Sequence, residues 1–208
     1  MNYRKIIGSV LFGFYITVHP FDGFWDLKHE KTQTFKAALI ILIMVVLAVV
    51  LRFQAAGFLF RPTIAEDANI IFNILSVVLP LILWTIVNWA ITTLFDGKGS
   101  MRDIFISTTF ALLPILLFIP QLALTHLLII EEGAFIYTID VIVGLWCAGL
   151  LLAGNASIHE YSMSKTVIAS IATIVGIAAL LFLSGVFYSA LSQLIGFFTT
   201  IVMEIRYR

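Results

Sequence analysis

The chain of 208 residues is 61% apolar and only 12% charged, whereas a soluble domain carries about 25% charged and about 45–50% apolar residues. So little polar surface excludes a water-facing globule, and a formal net charge of zero, from twelve basic and twelve acidic residues, excludes a nucleic-acid-binding footprint. A mean hydropathy of +1.08 points instead to an all-α integral membrane protein whose first partner is the lipid bilayer.

Residues 1–34 read as an N-terminal region preceding a membrane domain over residues 35–208. Arg4 and Lys5 introduce an apolar stretch over residues 6–18 that resembles a signal peptide. The following Ile16-Thr17-Val18-His19-Pro20 lacks the small-residue cleavage pattern. The stretch is also shorter than the roughly 17–25 residues of a membrane span. Ser9, Gly13 and Thr17 share one side, while Ile6, Ile7, Val10, Leu11, Phe14 and Val18 cover the other. That pattern predicts an interfacial amphipathic helix held near the headgroups by Arg4 and Lys5.

Residues 19–30 form the densest polar and aromatic stretch, around the turn signal Pro20-Phe21-Asp22-Gly23. Trp25, Phe21 and Phe24 suit an aromatic anchor at headgroup level, or a docking segment against the connector between spans 2 and 3. Asp22, Asp26 and Glu30 recur every fourth residue and predict an acidic stripe on a helical turn.

Five hydrophobic spans follow. The first covers about residues 35–51, with Lys36 and Arg52 at its ends, and the second about residues 70–95, with Pro80 inside. The third, about residues 104–130, is interrupted by Pro114 and Pro120 and is expected to kink or break, since each proline removes a backbone donor. The fourth covers about residues 134–154. The fifth begins near Thr166, and its apolar pattern runs on to Met203, longer than one span. A span to about Tyr188 and a second helix, bent near Ser184-Gly185, are the expectation: a kinked, extended last helix. Thr63-x-x-Glu66, Ser100-x-x-Asp103 and Ser157-x-x-Glu160 have capping-box spacing.

Five spans place Arg4, Lys5, Lys28, Lys31, Lys36, Lys98, Arg102 and Lys165 on one side, and Arg52, Arg61, Arg206 and Arg208 on the other. This asymmetry predicts a cytoplasmic N-terminus and an external C-terminus. The acidic Glu131-Glu132 connector, without a neighbouring base, suits the outer face.

Catalytic patterns are missing. His29-Glu30 and His159-Glu160 begin like a zinc-binding H-E-x-x-H, but the fifth residues are Gln33 and Met163. Gly97-Lys98-Gly99-Ser100 lacks the spacer of a phosphate loop and reads as a turn. The single cysteine, Cys147, lies in an apolar run and reads as a packing residue. No cofactor is implied.

The polar residues at membrane depth carry more. Asp140, early in span 4, needs a partner or water, because an unpaired carboxylate in hydrocarbon is costly. Asn73, Asn88 and Asn155 lie in or beside spans, with Trp84, Asn88 and Thr92 on one face of span 2, and read as interhelical glue or a ligand site. Ala172-x-x-x-Gly176, Gly185-x-x-x-Ser189 and Ser192-x-x-x-Gly196 form a ladder that lets helices approach closely, within the bundle or against another copy or another membrane protein. On the predicted topology, the acidic stripe faces the side carrying Lys98 and Arg102, four residues apart. The two stripes are expected to approach and, with Trp25 and Trp89, to form a docking surface.

His19-Pro20-Phe21-Asp22-Gly23-Phe24-Trp25-Asp26-Leu27 before span 1, and Asn88-Trp89-Ala90-Ile91-Thr92-Thr93-Leu94-Phe95-Asp96-Gly97-Lys98-Gly99-Ser100 at the end of span 2, together resemble the bacterial branch of the Yip-domain family. Its eukaryotic members are named for interaction with Rab-type GTPases. The resemblance covers the chain from Pro20 onward and implies five spans with a cytoplasmic N-terminus in a bacterial cytoplasmic membrane. It also implies no catalysis and an accessory role beside transport complexes such as ABC exporters; GTPase binding is not carried over. Two functions stay open: a non-enzymatic scaffold or accessory subunit, and a small transporter or lipid-handling protein with a polar site among spans 2–4. A continuous polar path favours the second, a packed dry bundle the first.

Overall fold

A computed structural model describes residues 3–29, 35–57, 69–128 and 132–207. Glu30, Lys31, Arg61, the Thr63-x-x-Glu66 spacing, Glu131 and Arg208 lie outside the described residues, as do the side chains of Arg4 and Lys5. Eight α-helices occur in these segments: α1 Tyr3–Val18, α2 Pro20–His29, α3 Phe35–Ala55, α4 Ile70–Leu94, α5 Met101–Ala111, α6 Phe118–Leu127, α7 Gly133–His159 and α8 Met163–Arg206. Five stretches are long and apolar enough to cross a membrane: α3, α4, the α5–α6 pair, α7 and α8.

The two prolines of span 3 act as expected. Leu113–Leu117 tightens into a 3-10 segment with Pro114 at its start, and α6 resumes at Phe118. Pro120 is tolerated because it falls in the first turn of α6, where backbone donors have no partner within that helix. Pro80, by contrast, leaves α4 continuous.

Of the three cap spacings, Ser100-x-x-Asp103 forms a full capping box at the start of α5. Ser157-x-x-Glu160 does not, because these residues end α7 rather than begin α8. The cap of α8 is Ser162, whose side chain accepts from the Lys165 N–H.

The N-terminal helix forms, but its small-residue side faces protein rather than headgroups. Ser9 and Gly13 are buried, whereas Ile7, Leu11 and Val18 are largely exposed. A Cβ on Gly13 would lie 2.6 Å from Leu113, in the central 3-10 segment of span 3. Trp146 Nε1 donates to the Thr17 carbonyl at 3.1 Å, and residue 146 is the midpoint of α7. The α1–α2 turn at His19 therefore reaches half the depth of the bundle. The outward face of α1 is apolar, which suits hydrocarbon better than a headgroup surface. From there α2 follows α7, the Phe24 ring lying against Gly154 and Lys28 reaching Glu160. Ile16, Phe24 and Leu27 share one apolar core with Ala37, Ile41, Val45, Phe110 and Leu150.

The last helix is extended as expected, but it does not divide into a span and a second helix. Helical structure runs unbroken through Ser184-Gly185, where the Ser184 hydroxyl donates to the Leu180 carbonyl at 2.8 Å. Its 44 residues correspond to about 66 Å at 1.5 Å per residue, twice the roughly 30 Å hydrocarbon core. Thr166, Ala169, Ser170 and Thr173 are buried, and residues 178–200 are all exposed. Of the ladder's three glycines only Gly176 meets a close neighbour, Val87 of α4; Gly185 and Gly196 face open space.

Candidate functional site at the Glu160 node

The site is assembled where α4, α7 and α2 end. Two helices close there on left-handed acidic residues, Asp96 (φ 57°) after α4 and Glu160 (φ 55°) after α7. In each, the residue after the left-handed position donates back to the final turn: Gly97 N–H to Thr92 O at 2.8 Å, and Tyr161 N–H to Ala156 O at 3.0 Å. These are Schellman closures in which a charged side chain stands where glycine is usual. Among the described residues no other non-glycine has a positive φ.

The Glu160 carboxylate is thereby set between two lysines. Lys28 Nζ of α2 donates to Oε1 at 2.8 Å, and Lys98 Nζ of the α4–α5 connector donates to Oε2 at 2.5 Å. His29 Nε2 stands 3.9 Å from Oε1. Hydrogen bonds from Lys28 and then Lys98 hold the carboxyl well below the usual range, at about 2. One carboxylate thus ties α2 and the connector to the end of α7.

Beneath the node lies His159, fully buried. The Gly99 N–H donates to its Nδ1 at 3.3 Å, so the network assigns the proton to Nε2, which faces Asn88 Oδ1 at 3.3 Å. Asn88 Nδ2 donates to Thr173 Oγ1 at 3.1 Å, and that hydroxyl donates to the Ala169 carbonyl at 2.8 Å. The series joins the connector, α7, α4 and α8. The connector must come this close to be included: a Cβ on Gly99 would stand 2.5 Å from Ile158 and 2.7 Å from the His159 ring. Tyr161 seals the edge, donating to the Phe95 carbonyl at 2.9 Å, with Lys165 Nζ 4.3 Å from its ring. Burial, and then the Asp96 carboxylate, push its phenol upward.

The residues expected to form a docking surface divide accordingly. Lys98 is in the node, and Asn88 is in the buried relay below it. Trp25 and Asp26 lie on α2 within a turn of Lys28, and Phe21 and Asp22 lie at its far end, by the α1–α2 turn; Phe21 and Trp25 are about half exposed, and Trp25 stacks on His29 at 3.9 Å. Among the described residues Lys98 pairs with Glu160 and not with Asp22 or Asp26; Glu30, the third acid of the stripe, lies outside them. Arg102 instead lies 6.0 Å from the Phe35 ring. Trp89 is exposed on α4, with no ring contact to Trp25, and Asp96 is exposed at the α4 closure. Sequence reasoning did not name Lys28, His159, Glu160 or Tyr161 as site residues. His159-Glu160 was weighed only as an incomplete zinc pair, and Glu160 as the acid of the Ser157-x-x-Glu160 cap spacing.

Asp140 sits at the opposite end and is paired. Arg52 donates to Oδ2 at 2.5 Å and Gln121 Nε2 to Oδ1 at 2.8 Å, while the guanidinium stacks on Phe118 at 4.2 Å. Gln121 Nε2 also donates to the Ile136 carbonyl, and among the described residues its buried Oε1 finds no donor.

The match of residues 14–201 to the Yip1 domain decides the family. The chain belongs to the Yip1-domain family. The match spans the α1–α2 turn, all five spans and both ends of the polar relay. No curated protein and no solved structure matches the chain. For a Yip1-domain protein, the five apolar helices establish a multi-pass membrane architecture.

Proposed function

We propose that this Yip1-domain protein is a non-enzymatic accessory or scaffold subunit of a transport or envelope complex in a bacterial cytoplasmic membrane. Its N-terminus and the Glu160 node face the cytoplasm, and its C-terminus lies outside. The observation that carries this reading is how the polar groups between spans are used. Asn88, His159 and Thr173 bond to one another, as do Asn155 and Ser170. The polar void between Trp84, Ser107, Thr108 and Asn155 measures only about 10 Å³, about the space of one water, and the adjoining cavity of about 230 Å³ beyond Trp84 and Thr108 is walled mainly by apolar side chains such as Val77, Leu81, Leu112 and Ile115. Such a bundle is built to hold shape rather than to pass a solute.

The node supplies a rigid charged surface, with Phe21, Asp22, Trp25 and Asp26 on one flank and Asp96, Lys98 and Arg102 on the other. The fitting partner is another membrane protein, of the ABC-transporter kind, or a second copy. Affinity purification from digitonin-solubilised native membranes, read by mass spectrometry, should recover a stoichiometric membrane partner. Recovery of the chain alone contradicts the reading. A transporter or lipid-handling role is favoured by one observation, the Arg52–Asp140–Gln121 group with its spare acceptor. Solute flux in liposomes containing the purified chain alone would select it.

A further inference from the structure

A lateral groove of about 480 Å³ opens between α3, α4 and α5, lined by Phe35, Ile82, Ile86, Met101, Phe105 and Arg102. Thr85 also lines it, its hydroxyl donating to the Leu81 carbonyl at 2.8 Å, and the other walls are apolar up to Arg102, which stands at one end beside Phe35. Ile82 is the midpoint of α4, and Met101 and Arg102 begin α5, so the groove runs from mid-membrane to the end bearing the node. Its α4 wall runs from Ile82 to Ile86, and its α5 wall begins at Met101, just after the connector that packs at the level of Asn88 through His159. The nearby Asp103 carboxylate is committed to the capping box with Ser100, and Lys36 is exposed one residue beyond Phe35.

We propose that this groove is a binding site for one anionic phospholipid of the leaflet on the node side. An acyl chain lies along Ile82, Ile86 and Phe105, and the headgroup phosphate accepts from Arg102. Two features converge on this occupant. The groove lies on the side of the bundle between three apolar helices, and its one charge stands at the end toward the node, where a cation between membrane helices recruits acidic headgroups. An uncharged chain or a soluble anion satisfies only one part. The site is independent of the protein partner proposed above.

Native mass spectrometry of the delipidated full chain, titrated with phosphatidylglycerol or phosphatidylcholine of identical acyl chains, tests it. The wild type should retain one phosphatidylglycerol with several-fold preference. Arg102→Gln should abolish the preference while leaving residual binding. Ile86→Trp should lose both lipids, and Leu145→Trp, on an exposed position of α7 outside the groove, should behave as wild type. If Ile86→Trp is not monodisperse, Ile82→Trp places the same bulk at the deep end. Equal retention of the two lipids by the wild type, or undiminished preference in Arg102→Gln, overturns the proposal. So does full retention by the correctly folded tryptophan variants.

Discussion

Glu160 concentrates two stabilising roles in one residue: its backbone closes α7 and its carboxylate gathers Lys28 and Lys98. Its folded pKa, about 2, lies below the ordinary 4.5. A depressed carboxylate contributes stability that is present above its unfolded pKa and is lost as pH falls through the folded one. Thermal stability should therefore decline between pH 4.5 and about 2, and Glu160→Gln should be less stable at neutral pH yet show a shallower acid decline. Parallel profiles for the two proteins would contradict the node. At the opposite end, Asp140→Asn leaves Arg52 without its charge partner and should cost roughly 1–3 kcal/mol. Adding Arg52→Gln should recover part of that loss, measurable by a double-mutant cycle in detergent. Asp140 was legible from sequence because a carboxylate inside an apolar run demands a partner. Arg52 was visible only as a span end, since 88 residues separate the two.

At the scale of elements, the spans and the broken third helix were readable because hydropathy and proline chemistry act locally. The setting of α1 was not. A helix with small residues on one side and apolar ones on the other fits a headgroup surface or a groove between helices equally well. The choice depends on whether a concave partner exists, here the 3-10 segment at Leu113–Leu117. Gly13→Leu and Gly8→Leu separate the alternatives. A Cβ at Gly13 meets Leu113 at 2.6 Å, whereas one at Gly8 has nothing within 4 Å. Gly13→Leu should destabilise by about 1–3 kcal/mol as overpacking does, with Gly8→Leu close to wild type in the same melt. Equal effects would return α1 to the surface. The expected division of α8 failed for a related reason: serine and glycine weaken a helix without ending it, and the Ser184 hydroxyl remains bonded within the turn.

For the whole molecule, the topology proposed from the basic residues and five spans has the node in the cytoplasm, so impermeant thiol labelling should reach a cysteine at position 132 but not at 98. Lys98 was expected to face the acids of α2, and among the described residues its ion-pair partner is Glu160. Charge counting cannot reveal that a third residue, Glu160, arrives at the end of another helix. The central claim, that the Glu160 node organises a docking surface, is tested most directly by charge reversal with quantitative recovery of partners from native membranes. Glu160→Lys should reduce partner recovery several-fold with the chain still monodisperse. Combining it with Lys28→Glu and Lys98→Glu should restore recovery by rebuilding both ion pairs with opposite sign. Undiminished recovery with Glu160→Lys alone, or a folded triple variant that recovers nothing, would contradict the account.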